Sequence, residues 1–151
     1  MKNFIPKIYQ ESIYKIDYQK LKQKQIKCLL FDLDNTCVEW HEKIPNQSLK
    51  KLMKELTNQG FQIIIFSNSP KKRLLPFQNL NVECHPSSRK PFRHNFEKIL
   101  NQYHLEKEEV CIIGDQLFTD ILGGNKVGIL TCLVEPLSNE DFILTKIFRG
   151  L

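Results

Sequence analysis

Apolar residues along this chain follow two alternating rhythms. The run "IKCLLFD", ending at Asp32, is apolar nearly throughout, as in a strand buried on both faces. In "NQSLKKLMKELTNQG" the period changes: Leu49, Leu52, Met53 and Leu56 share one helical face, and Gly60 stands where the helix should stop. "FQIIIFSNS" predicts a second strand, and Pro70 the first turn of a helix capped by Ser69 and kept short by Pro76. "NVECH" reads as a weak third strand. "PFRHNFEKILNQYH" is amphipathic through Phe92, Phe96, Ile99, Leu100 and Tyr103, with Pro91 at its start. "EVCIIGD" is a fourth strand, after which a helix opens near Gln116 and closes around Gly123 and Gly124. "GILTCLVEP" is a fifth, and a last helix is expected from Asn139 to Phe148. Strands alternating with helices predict an α/β fold, a parallel sheet with helices on both faces, over residues 26–151.

Residues 1–25 read differently. Ile5, Ile8, Tyr9, Ile13 and Ile16 recur at helical spacing, which predicts an amphipathic helix after Pro6, packed on the body. Up to residue 27 there are seven lysines against Glu11 and Asp17, so the whole net charge of +5 lies in this stretch. The plain reading is a docked helix with its lysines in water. The sharper one is a surface that attracts anionic lipid or nucleic acid.

With 151 residues, 41% of them hydrophobic and 26% charged, the chain can fold as a core-forming soluble protein. Its first residues lack the apolar stretch of a signal peptide, and no run approaches the roughly eighteen residues of a membrane span. A cytoplasmic location is expected. The five cysteines include no Cys-x-x-Cys pair, and Cys28, Cys111 and Cys132 lie in strand-like runs, so they read as buried thiols.

Three of the predicted strands end in polar clusters: Asp32, Asp34 and Thr36; Ser67 and Asn68; Asp115 and Asp120. In open parallel sheets, ligands bind beyond the carboxyl ends of the strands. Residues i and i+2 of a strand stand roughly 6.5 Å apart on one side, so Asp32 and Asp34 can lean toward a common point. Two such anions are either solvated turn residues or hold a cation. Asp115 would complete an oxygen-rich nest suited to Mg²⁺. Ser67 offers a hydroxyl, Asn68 and Ser69 precede a helix, and Lys90 supplies positive charge, with Arg89 and Arg93 as competitors. His41, His85, His94 and His104 have no partner at zinc-ligand spacing.

"DLDNT", "SNS", "KP" and "GDQLFTD" resemble, in order, the four motifs of the haloacid dehalogenase (HAD) superfamily. "GDQLFTDILGGN" and the closing "TKIFR" are similar to the YqeG-type branch of its subclass IIIA phosphatases. The resemblance implies a Rossmann-like three-layer sandwich and a phosphomonoester hydrolase. In it Asp32 would be the nucleophile, forming an aspartyl phosphate, and Asp34 the general acid and base. Ser67 and Asn68 would bind substrate, and Lys90 would neutralise the nucleophile and the phosphoryl group. Asp32, the Asp34 backbone carbonyl and Asp115 would hold Mg²⁺, with Asp120 behind them. Cys37 stands where the family usually has an aliphatic residue, a change expected to leave the chemistry alone.

The intervals between motifs are filled by the predicted helices and leave no room for a cap domain. An open site favours a large substrate, or a partner subunit that covers the mouth. The branch resembled includes relatives that are phosphatidylglycerophosphate phosphatases. That lipid is therefore the expected substrate, with peripheral contact at the inner membrane face; a soluble sugar or nucleotide phosphate is the alternative. A phosphoryl-receiver switch would have no acid two residues after its nucleophile, and a silent binding module should have lost a motif. A nucleic-acid binder would leave the acidic strand ends unexplained.

Overall fold

The computed structural model describes residues 2–138. Among them, six parallel strands form one sheet: β1 (Ile8–Gln10), β2 (Cys28–Phe31), β3 (Gln62–Phe66), β4 (Glu83–His85), β5 (Val110–Gly114) and β6 (Leu130–Val134). Their order is β1-β6-β5-β2-β3-β4. The winding runs outward from β2 through β3 to β4, then returns to β5 on the other side of β2. That reversal opens a crevice between β2 and β5, the place where such sheets bind ligands.

The apolar runs form strands because both faces of the sheet are covered. On one face Leu29, Phe31, Ile63, Ile65 and Ile113 pack beneath α2 (Gln47–Asn58), whose Leu49, Leu52, Met53 and Leu56 are the predicted stripe. On the other, Leu30, Ile64, Phe66 and Ile112 meet Phe96 and Ile99 of α4 (Arg93–Gln102). The result is the expected three-layer α/β sandwich. Asn46 caps α2 by accepting from the Leu49 amide, and Gly60, at φ +98°, follows it in the left-handed region. No segment between the strands forms a cap domain among the described residues, and no helix there is long and apolar enough to cross a membrane.

Several local expectations are corrected. Residues 7–16 do not form the expected amphipathic α-helix: Ile8–Gln10 is an edge strand beside β6, Ile13–Lys15 is a single 3-10 turn, and the Lys7 amide donates to the Thr131 carbonyl. The free edge of β6 satisfies that backbone, and of the isoleucines at helical spacing only Ile13 and Ile16 are buried. The helix in this region is the short α1 (Tyr18–Gln23), capped by Asp17. Tyr18 and Leu21 from it join Ile13 and Ile16 in the main core. Lys7, Lys22, Lys24 and Lys27 therefore lie around the amino ends of the strands.

Further along, Pro70 rather than Ser69 holds the N-cap position of α3 (Lys71–Leu74), and Phe92 is 68% exposed rather than part of the α4 stripe. Gly123 and Gly124 do not end a helix but lie within α5 (Leu122–Val127). A Cβ on Gly123 would stand 2.8 Å from the Phe96 ring, and one on Gly124 2.6 Å from Ile112, so α5 needs the first glycine to pack against α4 and the second to pack on the sheet. The helix expected at Asn139–Phe148 lies outside the described residues, as does "TKIFR". Cys28, Cys37, Cys111 and Cys132 are buried free thiols, and Cys84 is half-buried.

Because Ile13 is fully buried in the main core, Ile13→Ala is expected to cost about 2–5 kcal/mol of stability in urea unfolding. A loss within a few tenths of a kcal/mol would show that the amino-terminal segment is not part of the core.

Candidate active site

Asp32 follows β2 directly, and its amide continues the ladder to β5 by donating to the Ile113 carbonyl at 2.9 Å. The chain then turns tightly: the amides of Thr36, Cys37 and Val38 all point at the Leu33 carbonyl, and Asn35 sits at φ +60°. This turn carries the Thr36 hydroxyl to Asp115, just beyond β5, where it donates to Oδ1 at 2.9 Å. Oxygens of Asp32, Asp115 and Asp120 all lie within 4.8 Å of one another.

Asp120 comes from a single π-helical turn, Leu117–Ile121, that leads into α5. Such turns often re-aim a functional side chain. Its carboxylate lies against Gly114, where a Cβ would stand only 2.1 Å from Oδ2. The glycine that ends β5 is thus what makes room for a third acid.

Lys90 closes the group from below. Its Nζ donates to Asp32 Oδ1 at 3.0 Å, to Asp120 Oδ1 at 2.7 Å and to the Phe66 carbonyl at 2.7 Å, and its side chain is 1% exposed. Burial alone would lower its pKa, but Asp120 and Asp32 outweigh that and raise it, so the ammonium is retained. Asn68 fixes the loop that delivers it. The Asn68 side-chain carbonyl accepts from the Lys90 amide at 2.8 Å and from the Ser88 hydroxyl at 2.7 Å, and its NH2 donates to the Lys90 carbonyl. Arg89 and Arg93 are exposed, and Lys90 is the cation that reaches the acids.

Asp34 is turned elsewhere. Its Oδ2 accepts from the Ser69 hydroxyl at 2.7 Å, and its Oδ1 meets Arg73 at 3.0 Å from Nε and 2.9 Å from Nη2. Sequence reasoning missed Arg73. The signal available was a basic residue in the first turn after "SNSP", but nothing in the spacing ties it to Asp34. Asp32, Asp34, Trp40, Ser67, Asn68, Arg73 and Lys90 line one open cleft of about 480 Å³. His41 pairs with Glu39 instead, and His85 with the Tyr103 hydroxyl.

Three carboxylates face one ammonium, and they do not carry full charge unaided. Burial, then the charges of Asp32 and Asp120, pushes Asp115 up to about 9 from an ordinary 3.8. Burial and Asp32 push Asp120 up to about 7 against the pull of Lys90. A buried set of oxygens that is two charges short of neutrality fits a hard divalent cation. Both Asp120 oxygens already accept hydrogen bonds, from Lys90 and from the Gln116 amide, which leaves Asp32 and Asp115 as the freer donors.

This constellation at the switch point of a parallel sheet is that of a HAD-type hydrolase, and the comparisons agree. A family model described as "HAD-hyrolase-like" matches residues 87–136. The chain is 35% identical to "Probable phosphatase YqeG" of Bacillus subtilis over 149 residues, covering 98% of this chain and 87% of that one. It is 30% identical to "Phosphatidylglycerophosphate phosphatase 1, chloroplastic/mitochondrial" of Arabidopsis thaliana, covering 96% of this chain but 45% of that longer protein. In fold it is similar to 3-deoxy-D-manno-octulosonate 8-phosphate phosphatase of Yersinia pestis, with TM-score 0.60 at 17% identity, covering 83% of this chain and 72% of that one. A subfamily III A HAD hydrolase of Legionella pneumophila aligns with TM-score 0.51 at 20% identity, covering 68% and 63%. The chain belongs to the haloacid dehalogenase family, and it is a phosphatase. Within that family it falls beside the YqeG-type proteins.

The raised acids give a pH test. Without a cation, the folded state holds a proton on Asp115 up to about pH 9, whereas the unfolded chain releases it near the ordinary 3.8. Between those values the folded state binds more protons, so this group's contribution to stability falls as pH rises. Thermal unfolding in chelator should show a steeper loss with rising pH for the unsubstituted protein than for Asp115→Asn, and saturating Mg²⁺ should flatten the slope. Identical slopes with and without the carboxylate would contradict the assignment.

Proposed function

We propose that the protein is a Mg²⁺-dependent phosphomonoesterase acting through an aspartyl phosphate on Asp32. The observation that carries this reading is the ammonium of Lys90 held between Asp32 and Asp120 at the base of the cleft. It lowers the cost of bringing a phosphoryl dianion up to a carboxylate. An Asp32 oxygen attacks phosphorus and the bond to the leaving oxygen breaks, with Asp34 giving that oxygen its proton. Asp34 then takes a proton from water as the water attacks phosphorus, and the Asp32–phosphorus bond breaks to release phosphate and the free carboxylate. Ser67 and Asn68 line the same cleft and would bind the phosphoryl oxygens. Asp32, the Asp34 backbone carbonyl and Asp115 would hold Mg²⁺, with Asp120 behind them. Bound there, the ion supplies charge stabilisation to the transferring phosphoryl group.

For the substrate, the reading is phosphatidylglycerophosphate, converted to phosphatidylglycerol by a cytoplasmic enzyme that meets the membrane peripherally. Three things support it: the uncapped cleft, the name of the Arabidopsis relative, and the rim. The segments that follow the strands expose Trp40, Ile44 and Phe92, and with them Lys43, Lys71, Lys72, Arg89 and Arg93. Apolar and cationic side chains together suit an anionic leaflet. The lysines at the amino ends of the strands would face away from a membrane approached by this rim. A soluble sugar or nucleotide phosphate is the second reading, favoured if the rim only packs against another subunit. Asp34, on a side chain two residues after the nucleophile, argues against a phosphoryl-receiver switch.

Asp32→Asn should lower turnover of an aryl phosphate by about a thousandfold or more with an unchanged circular dichroism spectrum, and chelator should silence the unsubstituted protein. Substantial activity in that variant, or equal activity in excess chelator, would remove the assignment.

A further inference from the structure

Both oxygens of Asp34 are held by the cleft wall, so to serve a leaving oxygen as acid and base it would have to give up these contacts. Ser69 donates to one, and Arg73 meets the other through Nε and Nη2. Arg73 is the better anchored partner. Its Nη1 donates to the Glu42 carbonyl at 2.5 Å, its guanidinium carbon lies 5.3 Å from the centre of the Phe77 ring, and its side chain is only 17% exposed. These contacts would hold the guanidinium in place if Asp34 turned inward. Its Nη2 is buried without a well-formed hydrogen bond even now, despite lying 2.9 Å from Oδ1.

We propose that Arg73 is the receptor for a second anion on the substrate's leaving group, and that this anion releases Asp34 by replacing it on the guanidinium. The proposal rests on the reading of Asp34 as acid and base, and it adds a substrate class: phosphomonoesters whose leaving group carries a phosphate, phosphodiester or carboxylate. Of the residues that line the cleft, the cations are Lys90 and Arg73. Lys90 spends its three N–H groups on Asp32, Asp120 and the Phe66 carbonyl, so it has no donor for an anion further out. Arg73 is left for anything further out. Its planar fork suits phosphate and carboxylate, which a neutral hydroxyl cannot match. With a neutral leaving group, withdrawal of Asp34 would strand a mostly buried cation without a counter-charge. With an anionic one the exchange is like for like. Binding at the remote anion is thereby converted into delivery of the acid, so the benefit should appear in kcat as well as KM.

The test compares glycerol 1,3-bisphosphate with glycerol 3-phosphate, rates counted per phosphate, for the full chain with Mg²⁺ and for Arg73→Gln and Arg73→Lys. Phosphatidylglycerophosphate in mixed micelles is a third arm. The unsubstituted protein should favour the bisphosphate by roughly tenfold or more in kcat/KM. Arg73→Gln should bring that ratio close to unity, and Arg73→Lys should keep part of it. An Arg73-dependent preference confined to the lipid arm identifies a phosphodiester as the recognised anion, and one confined to the bisphosphate a free phosphate; either supports the proposal. Loss of activity on both soluble substrates by one common factor in Arg73→Gln, or no preference in the unsubstituted protein on any arm, overturns it while leaving the phosphatase reading intact. If Arg73→Gln does not fold, the unsubstituted protein's preference and its loss or retention in Arg73→Lys decide the matter. No hydrolysis of any phosphomonoester, aryl phosphate included, overturns both.

Discussion

A buried ammonium held by two carboxylates and a backbone carbonyl is the interaction on which this site depends. Lys90 sits where water cannot solvate it, so its charge survives only because Asp32 and Asp120 are there. The dependence runs both ways, since those acids would repel one another without it. Each requirement reaches into the fold. Asn68 clasps the Lys90 loop from the end of β3, the π-helical turn brings Asp120 back over β5, and Gly114 leaves the space its carboxylate fills. Removing Asp32 or Asp120 leaves the buried ammonium short of a counter-charge, an arrangement costlier than never having buried it.

The fold was legible where burial alone decides structure. Strands β2, β3 and β5 are apolar because both faces are covered, and a continuous apolar run ending in a polar cluster has few other uses. It was illegible where hydrogen bonding to a distant partner decides. Isoleucines 5, 8, 13 and 16 fit a helical period, yet the open edge of β6 lies more than a hundred residues away in sequence and claims Ile8–Gln10 as a strand. Gly123 and Gly124 look like a helix stop in one dimension, but in three they let α5 approach Phe96 and Ile112.

The same distinction holds in the site. Asp32, Ser67, Lys90, Asp115 and Asp120 could be proposed because each stands at a strand end or a loop brace, and the topology gathers strand ends. What could not be read was the direction of a side chain. Asp34 belongs to the same motif as Asp32, but its carboxylate faces Ser69 and Arg73 instead of the acidic group. Asn68, expected to bind substrate, also holds the Lys90 loop through its amide. Both are choices among rotamers, settled by partners that a linear pattern does not name.

The central claim is that Asp32 becomes covalently phosphorylated, and reductive trapping addresses it directly. The protein is mixed with an aryl phosphate and Mg²⁺, quenched during turnover and treated with borohydride, which reduces an aspartyl phosphate to homoserine. The account predicts homoserine at position 32 in the peptide spanning β2, dependent on substrate and absent from Asp32→Asn. Trapping at another carboxylate, or an unmodified Asp32 in a preparation that is turning over, would contradict it.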